Sequence, residues 1–248
     1  RGVDHPGIPL GEDGLPAGEL KGPDAMMPVG VHVGFDRDIL ACDELGLRYF
    51  ARLCVRKGVT TAADLASLLP REAVDMMLRV TGEEDFPVRI VSLRRLLGLT
   101  PKQAITRALE LRAASTDRLR LGIVKIVVDG SIQGFSARLA WPGYYNGAPN
   151  GLWYVTPEEL RETLALALEN GVQIHAHTNG DEATELMLDC VNEALGKRAA
   201  PDHRFTIQHG QLATAEVRDG DGPLRPAQPY RAVKSQYRPL VATLEGPD

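Results

Sequence analysis

Two histidines stand two residues apart in the run VQIHAHTNGD (172–181), where a buried strand would be expected to carry apolar side chains. In an extended chain His175 and His177 point to the same face, and imidazole is a ligand suited to zinc and its neighbours. Lys125 interrupts the apolar run GIVKIVVDG. An unpaired ammonium is costly there, because lysine is almost never fully buried. A third apolar run, RFTIQH, ends in His209, with Phe205 and Ile207 on its own parity. Burial lowers the pKa of a lysine. Once deprotonated and combined with carbon dioxide, Lys125 would be an anionic carbamate with two oxygens able to bridge two cations.

Each residue also has a structural reading. A lone strand-end histidine is more often a hydrogen-bonded packing residue than a ligand. Lys125 could pair with Asp129, four residues on and on the same parity. Asp181 reads as an N-cap, since Glu182 and Glu185 follow in the first helical turn. What favours chemistry is recurrence: lysine or histidine stands at or near the C-terminal end of three successive strands, the end at which (β/α) barrels build their sites.

The elements that must position these residues alternate along the chain. Strands are predicted at 59–65, 87–93, 122–129, 172–178 and 204–209. Helices are predicted at 70–82, 101–118, 157–170 and 181–197, and an earlier one over 36–58 has Ile39, Cys42, Leu45, Tyr49 and Leu53 at helical spacing. Strand–helix–strand order implies parallel pairing through right-handed crossovers. IVKIVV is apolar on both parities, as a strand covered on both faces should be. The fold class is therefore α/β, a partial or complete (β/α)8 TIM-type barrel, because no glycine-rich nucleotide loop supports an open doubly wound sheet. Residues 1–35 are dense in Gly and Pro and read as loop or short strand. Residues 36–214 carry the barrel units, and 215–248 is irregular, with at most one short strand near 239–244. No internal repeat is visible.

Composition narrows the partners. With 248 residues and 44% hydrophobic content the chain can bury one sizeable core. A net charge of −5 argues against nucleic acid or an anionic membrane surface, which call for a basic excess. No apolar run reaches the ~20 residues of a membrane span. Cys42, Cys54 and Cys190 form no C-x-x-C pair and read as reduced core residues, which favours the cytoplasm. Homo-oligomerisation is left open. The chain opens with Arg1 rather than methionine, so a preceding segment is expected.

Lys125 in VKIVVDGSIQG, His177 in HTNGD and His209 in HRFTIQHGQ, in this order and at these intervals, resemble the amidohydrolase superfamily. The branch that contains N-substituted formamide deformylase is the most similar, and GEDGLPAGELKGPDAM resembles its segment between the first and second barrel strands. The likeness runs from about Gly7 to Thr214. It implies that Lys125, as a carbamate, bridges two divalent metals and that His177 and His209 bind one of them. His175 does not match a ligand and is assigned to packing beside the site. Two departures stand out: the first-strand His-x-His has no counterpart before residue 59, and no segment supplies the strand-eight aspartate that serves as general base. Five strand–helix units also fall short of the eight that close this barrel. The chain as written is therefore expected to supply half of a binuclear site and to be inactive or poorly folded alone.

The implied reaction is hydrolysis of a C–N bond in a small amide by a water whose pKa a divalent metal lowers. Zinc is the first choice from ligand type, with iron and manganese as alternatives. The long connection SIQGFSARLAWPGYYNGAPNGLWYV (131–155) exceeds ordinary βα loops. Trp141 and Tyr144 on it are either substrate contacts or staples of the loop itself. Two competing readings remain: a barrel scaffold without catalysis, binding a ligand or partner, and a metal-free enzyme using Lys125 as a Schiff-base amine.

Overall fold

A computed structural model describes residues 5, 7–21, 23–33, 43–196 and 202–213. The elements alternate as expected. Helix α1 (Pro23–His32) and α2 (Glu44–Arg56) precede β1 (Thr61–Ser67), α3 (Arg71–Thr81), β2 (Arg89–Arg95), α4 (Pro101–Ala113), β3 (Leu119–Val127), α5 (Pro157–Glu169), β4 (Ile174–Thr178), α6 (Asp181–Leu195) and β5 (Thr206–His209). The five strands form one parallel sheet in the order β1-β2-β3-β4-β5, a curled half-barrel. Each crossover returns its strand beside the previous one, so the C-terminal ends of all five gather at one rim.

Local chemistry sets the helix starts. Thr100 and Thr156 each accept a hydrogen bond from the third residue of the helix that follows, Gln103 and Glu159 return it, and a proline occupies the first turn. The main core lies between the sheet and α4–α6. There Val124, Ile126 and Val128 of the β3 region meet Leu160 and Leu164 of α5 and Met187 of α6, all essentially sealed from solvent. A second cluster joins α2, α3 and the start of β3 through Leu47, Cys54, Met77 and Leu119.

Several expectations need correction. Residues 23–32 form a helix rather than loop, with Pro23 at its first position, where a missing N–H costs nothing. In α2 the buried stripe is Leu47, Ala51 and Cys54, while Leu45, Tyr49 and Leu53 stay exposed. The helix carries two apolar stripes, and the one that meets α3 is the buried one. Helix α4 ends five residues early because Thr116 Oγ1 accepts from the Arg118 and Leu119 amides and turns the chain into β3. Cys54 and Cys190 are free and buried, as expected. Cys42 and the strand near 239–244 lie outside the described residues.

Candidate functional site

Register decides which side chains share the inner face. Lys125 is paired with His175, and Val127 with His177, in the β3–β4 ladder, while His175 and His177 are paired with Thr206 and Gln208 in β5. Lys125, His175, His177 and Gln208 therefore line one face. Phe205 and Ile207 occupy the opposite parity and pack into the main core. Plain alternation would send His209 there too. Its φ of 74° takes the backbone out of strand geometry, and the imidazole meets His177 edge to face, with ring centroids 4.5 Å apart. The three residues singled out as ligands, Lys125, His177 and His209, thus come together at the rim.

Lys125 is 4% exposed. The expected partner, Asp129, is committed elsewhere, and the Lys125 ammonium instead donates to the Gln208 side-chain oxygen. With that oxygen taken, Gln208 turns its NH2 toward His175 Nδ1 at 3.2 Å. Gln208 is a site residue that the sequence reading passed over. Its signal was parity, because it precedes His209 and shares the face of His177. Burial, with the Arg95 charge on β2 adding to it, pushes the Lys125 pKa down to about 8. Burial first, then the charges of Lys125 and Arg120, pushes His175 down to about 4. His177 also falls to about 4, mainly through burial, with His209 and Lys125 adding and its bond to Gly130 opposing. His209 is lowered by burial and by Lys125. Both ligand candidates are therefore neutral imidazoles at neutral pH, the form that binds metals.

The environment of His177 selects its tautomer. Its Nε2 lies 2.9 Å from the Gly130 carbonyl oxygen. A carbonyl only accepts, and the Asn179 NH2, 3.1 Å from Nε2, makes its shorter bond to that carbonyl, so the contacts favour the proton on Nε2 and the lone pair on Nδ1. The side-chain amide of Asn179 donates to the same oxygen at 2.7 Å. These donors fit a soft-to-borderline divalent cation. Among the described residues no group of three or more His, Cys, Asp and Glu gathers, so the donor set is two imidazoles and a lysine.

Asp129 is fully buried at the end of β3. It accepts from the backbone N–H of Arg138 (3.0 Å), Asn179 (2.9 Å) and Gly180 (2.8 Å). Burial raises its pKa, against the lowering effect of those bonds. Asp181 is not the N-cap expected of it. Gly180 holds that position, and the Asp181 carboxylate accepts from the amides of Ala140 and Glu182. The loop 131–155 is thereby tied to the start of α6. Arg138 adds an ion pair to Glu182 at 2.8 Å and stacks over Trp153 at 4.8 Å. Asn150 bonds Leu139 and Glu182. Tyr144 is a staple, with its hydroxyl donating to Ala137 O at 2.9 Å and its ring set edge-on to Phe135. Trp141, 94% exposed, projects into solvent. A cleft lined by Arg95, Leu97, Tyr154 and Glu159 opens between the ends of β2 and β3 onto Lys125.

Comparison with known proteins shows what the chain as a whole resembles. LONG AFTER FAR-RED 3 of Arabidopsis thaliana is 27% identical over 176 residues, covering 65% of this chain and 29% of its own length. The amidohydrolase YtcJ of Bacillus subtilis, so named with its assignment marked provisional, is 27% identical over 123 residues, 50% of this chain and 22% of its own. The chain thus spans less than a third of either curated relative. Uncharacterized metal-dependent hydrolases of Pyrococcus furiosus and Pyrococcus horikoshii share the fold, with TM-scores of 0.56 and 0.52 at 17% and 16% identity. They cover 83% and 82% of this chain, which spans 40% and 44% of theirs. The family model described as "Amidohydrolase family" matches residues 4–230. With that match running over most of its length, the chain belongs to the amidohydrolase family.

Proposed function

We propose that this chain carries part of the active site of a metal-dependent hydrolase that cleaves a C–N bond of a small amide. The observation that carries the reading is the meeting of His177 and His209, two neutral imidazoles in ring contact, beside the buried Lys125 at the C-terminal rim. Lys125, His177 and His209 would hold divalent metal, with zinc the first to test. When bound, such a cation supplies Lewis acidity toward a carbonyl and lowers the pKa of water. The chain's own residues set up that chemistry. His177 offers Nδ1 because Gly130 holds the Nε2 proton. Gln208 on β5 accepts from Lys125 and is itself held by His175, which is paired with Lys125 on the adjacent strand. The loop 131–155 covers the rim and borders the space open to substrate.

N-substituted formamides are the first substrates to assay, because the segment GEDGLPAGELKGPDAM resembles the deformylase branch. The deciding experiment is metal analysis of the full-length protein beside its His177→Ala and His209→Ala variants, with amide hydrolysis measured in parallel. Stoichiometric divalent metal and turnover, both lost in each variant, are expected. A protein that holds no metal at all and hydrolyses no amide would instead be a barrel scaffold.

A further inference from the structure

Asp129 touches none of the three residues assigned to the metal by hydrogen bond, yet it is the point on which three segments around His177 converge. Its carboxylate gathers the backbone amides of Arg138 in the loop, Asn179 after β4 and Gly180 at the start of α6. Gly130, the next residue along, provides the carbonyl that accepts from His177 Nε2. Asn179, held by its own backbone bond to Asp129, delivers its side-chain amide to that same carbonyl. Asp129 Oδ1 itself lies 3.9 Å from His177 Nε2, where its negative charge favours a proton on that nitrogen over the far one. Of its three amide partners Arg138 lies nine residues on and Asn179 and Gly180 about fifty, and a side chain sealed from solvent that spends both oxygens on backbone N–H groups restrains Gly130 and Asn179 on either side of His177.

We propose that Asp129 is a positioning residue that fixes the His177 ring and its Nε2–H tautomer through the Gly130 carbonyl and the Asn179 amide, so that Nδ1 faces the reaction rim. The inference rests on His177 being a ligand only for its consequence. The tautomer itself is a property of the protein without metal. Asp129→Asn keeps shape and volume but replaces one acceptor oxygen with an NH2 that faces backbone donors, so either the Asn179 amide on Oδ1 or the Arg138 and Gly180 amides on Oδ2 lose their partner.

The test is nitrogen-15 NMR of the full-length protein after metal removal, with the His177 ring assigned by its disappearance in His177→Gln. Wild-type protein should show the proton on Nε2. In Asp129→Asn the two tautomers should mix, and zinc affinity should fall by ~10–100-fold, as for loss of other outer partners of a ligating histidine. Glu182→Gln, which loosens the same loop through Arg138 without touching Asp129, should leave the tautomer unchanged. Where Asp129→Asn fails to fold, Asp129→Glu, which keeps the charge but carries the carboxylate one methylene away from its three amides, should mix the tautomers likewise. A proton on Nδ1 in wild type overturns the proposal, as does an unchanged tautomer in a folded Asp129→Asn or Asp129→Glu. An altered tautomer with unchanged zinc affinity would leave the positioning role standing and refute His177 as ligand.

Discussion

Gly180→Ala should detach the loop 131–155 from the start of α6, and the structure sets the size of the effect. Gly180 has φ −79° and ψ 156°, a conformation alanine adopts freely, so backbone strain is not at issue. Space is. A Cβ at this position would stand 1.7 Å from the Arg138 carbonyl oxygen and 2.5 Å from its carbon, where ordinary contact begins at 3.4 Å. The obstacle is backbone and cannot rotate away. Retreat of Arg138 breaks its amide bond to Asp129, a hydrogen bond to a charged acceptor worth about 1.5–3 kcal/mol. Overpacking adds about 1–3 kcal/mol. A loss of about 2.5–6 kcal/mol is therefore expected, read as a lower urea midpoint at unchanged m-value, together with faster proteolysis within 131–155. Gly147→Ala is the control. It has φ 74° and nothing within 4 Å of the added carbon, so it should cost only about 1 kcal/mol of conformational strain and leave the loop docked. A Gly180→Ala midpoint within about 0.5 kcal/mol of wild type, the range of ordinary surface changes, would refute the close approach on which this reasoning stands.

Lys125→Ala should lose metal and activity together and regain part of both with a short carboxylic acid, which can replace the carbamate; unchanged metal content would remove Lys125 from the site. Trp141→Ala should leave the unfolding midpoint within about 0.5 kcal/mol while changing kcat/KM, because the ring is exposed on a rim loop; Tyr144→Phe should cost about 1 kcal/mol through its bond to Ala137. His175 and His177 titrate near 4 when folded against 6.5 in the open chain, so on acidification the unfolded state binds protons first. Their contribution is complete above pH 6.5 and is lost as the pH falls toward 4, at most on the order of 3 kcal/mol each. Urea midpoints measured across that window in metal-free protein should fall, and His175→Gln should flatten the decline; a flat wild-type profile would contradict it.

The strand–helix alternation was legible because β2, β3 and β4 are apolar runs bounded by capped helices, and both signals are local. So was the shared face of Lys125, His175 and His177, which needs only the period of two. His209 was singled out for standing at a strand end, but the turn that brings its ring beside His177 depends on a left-handed φ that no residue pattern announces. Gln208 was overlooked because glutamine at an inward position gains meaning only from the register that sets it beside Lys125. The role of Asp129 was misread for a similar reason. Its sequence neighbours suggest Lys125, whereas its actual partners Asn179 and Gly180 lie about fifty positions away. In α1 and α2 composition misled, since prolines and glycines masked one helix and a second apolar stripe disguised the buried face of the other.

The loop 131–155 is anchored along its two arms and by the Tyr144 staple. Gly130, Ser136, Ala137, Arg138, Asn150 and Gly151 carry the close contacts, while Gly143 and Gly147 at its tip have open space around them. Its ends are further secured by Tyr154, whose amide returns to the Val128 carbonyl. Lengthening a tip of this kind adds little closure entropy, about 0.6 kcal/mol for each doubling of a flexible loop. The exposed stretch 145–147, beyond the Tyr144 staple, is thus a permissive insertion point. Residues can be added or exchanged there with the positions of His177 and His209 left unchanged.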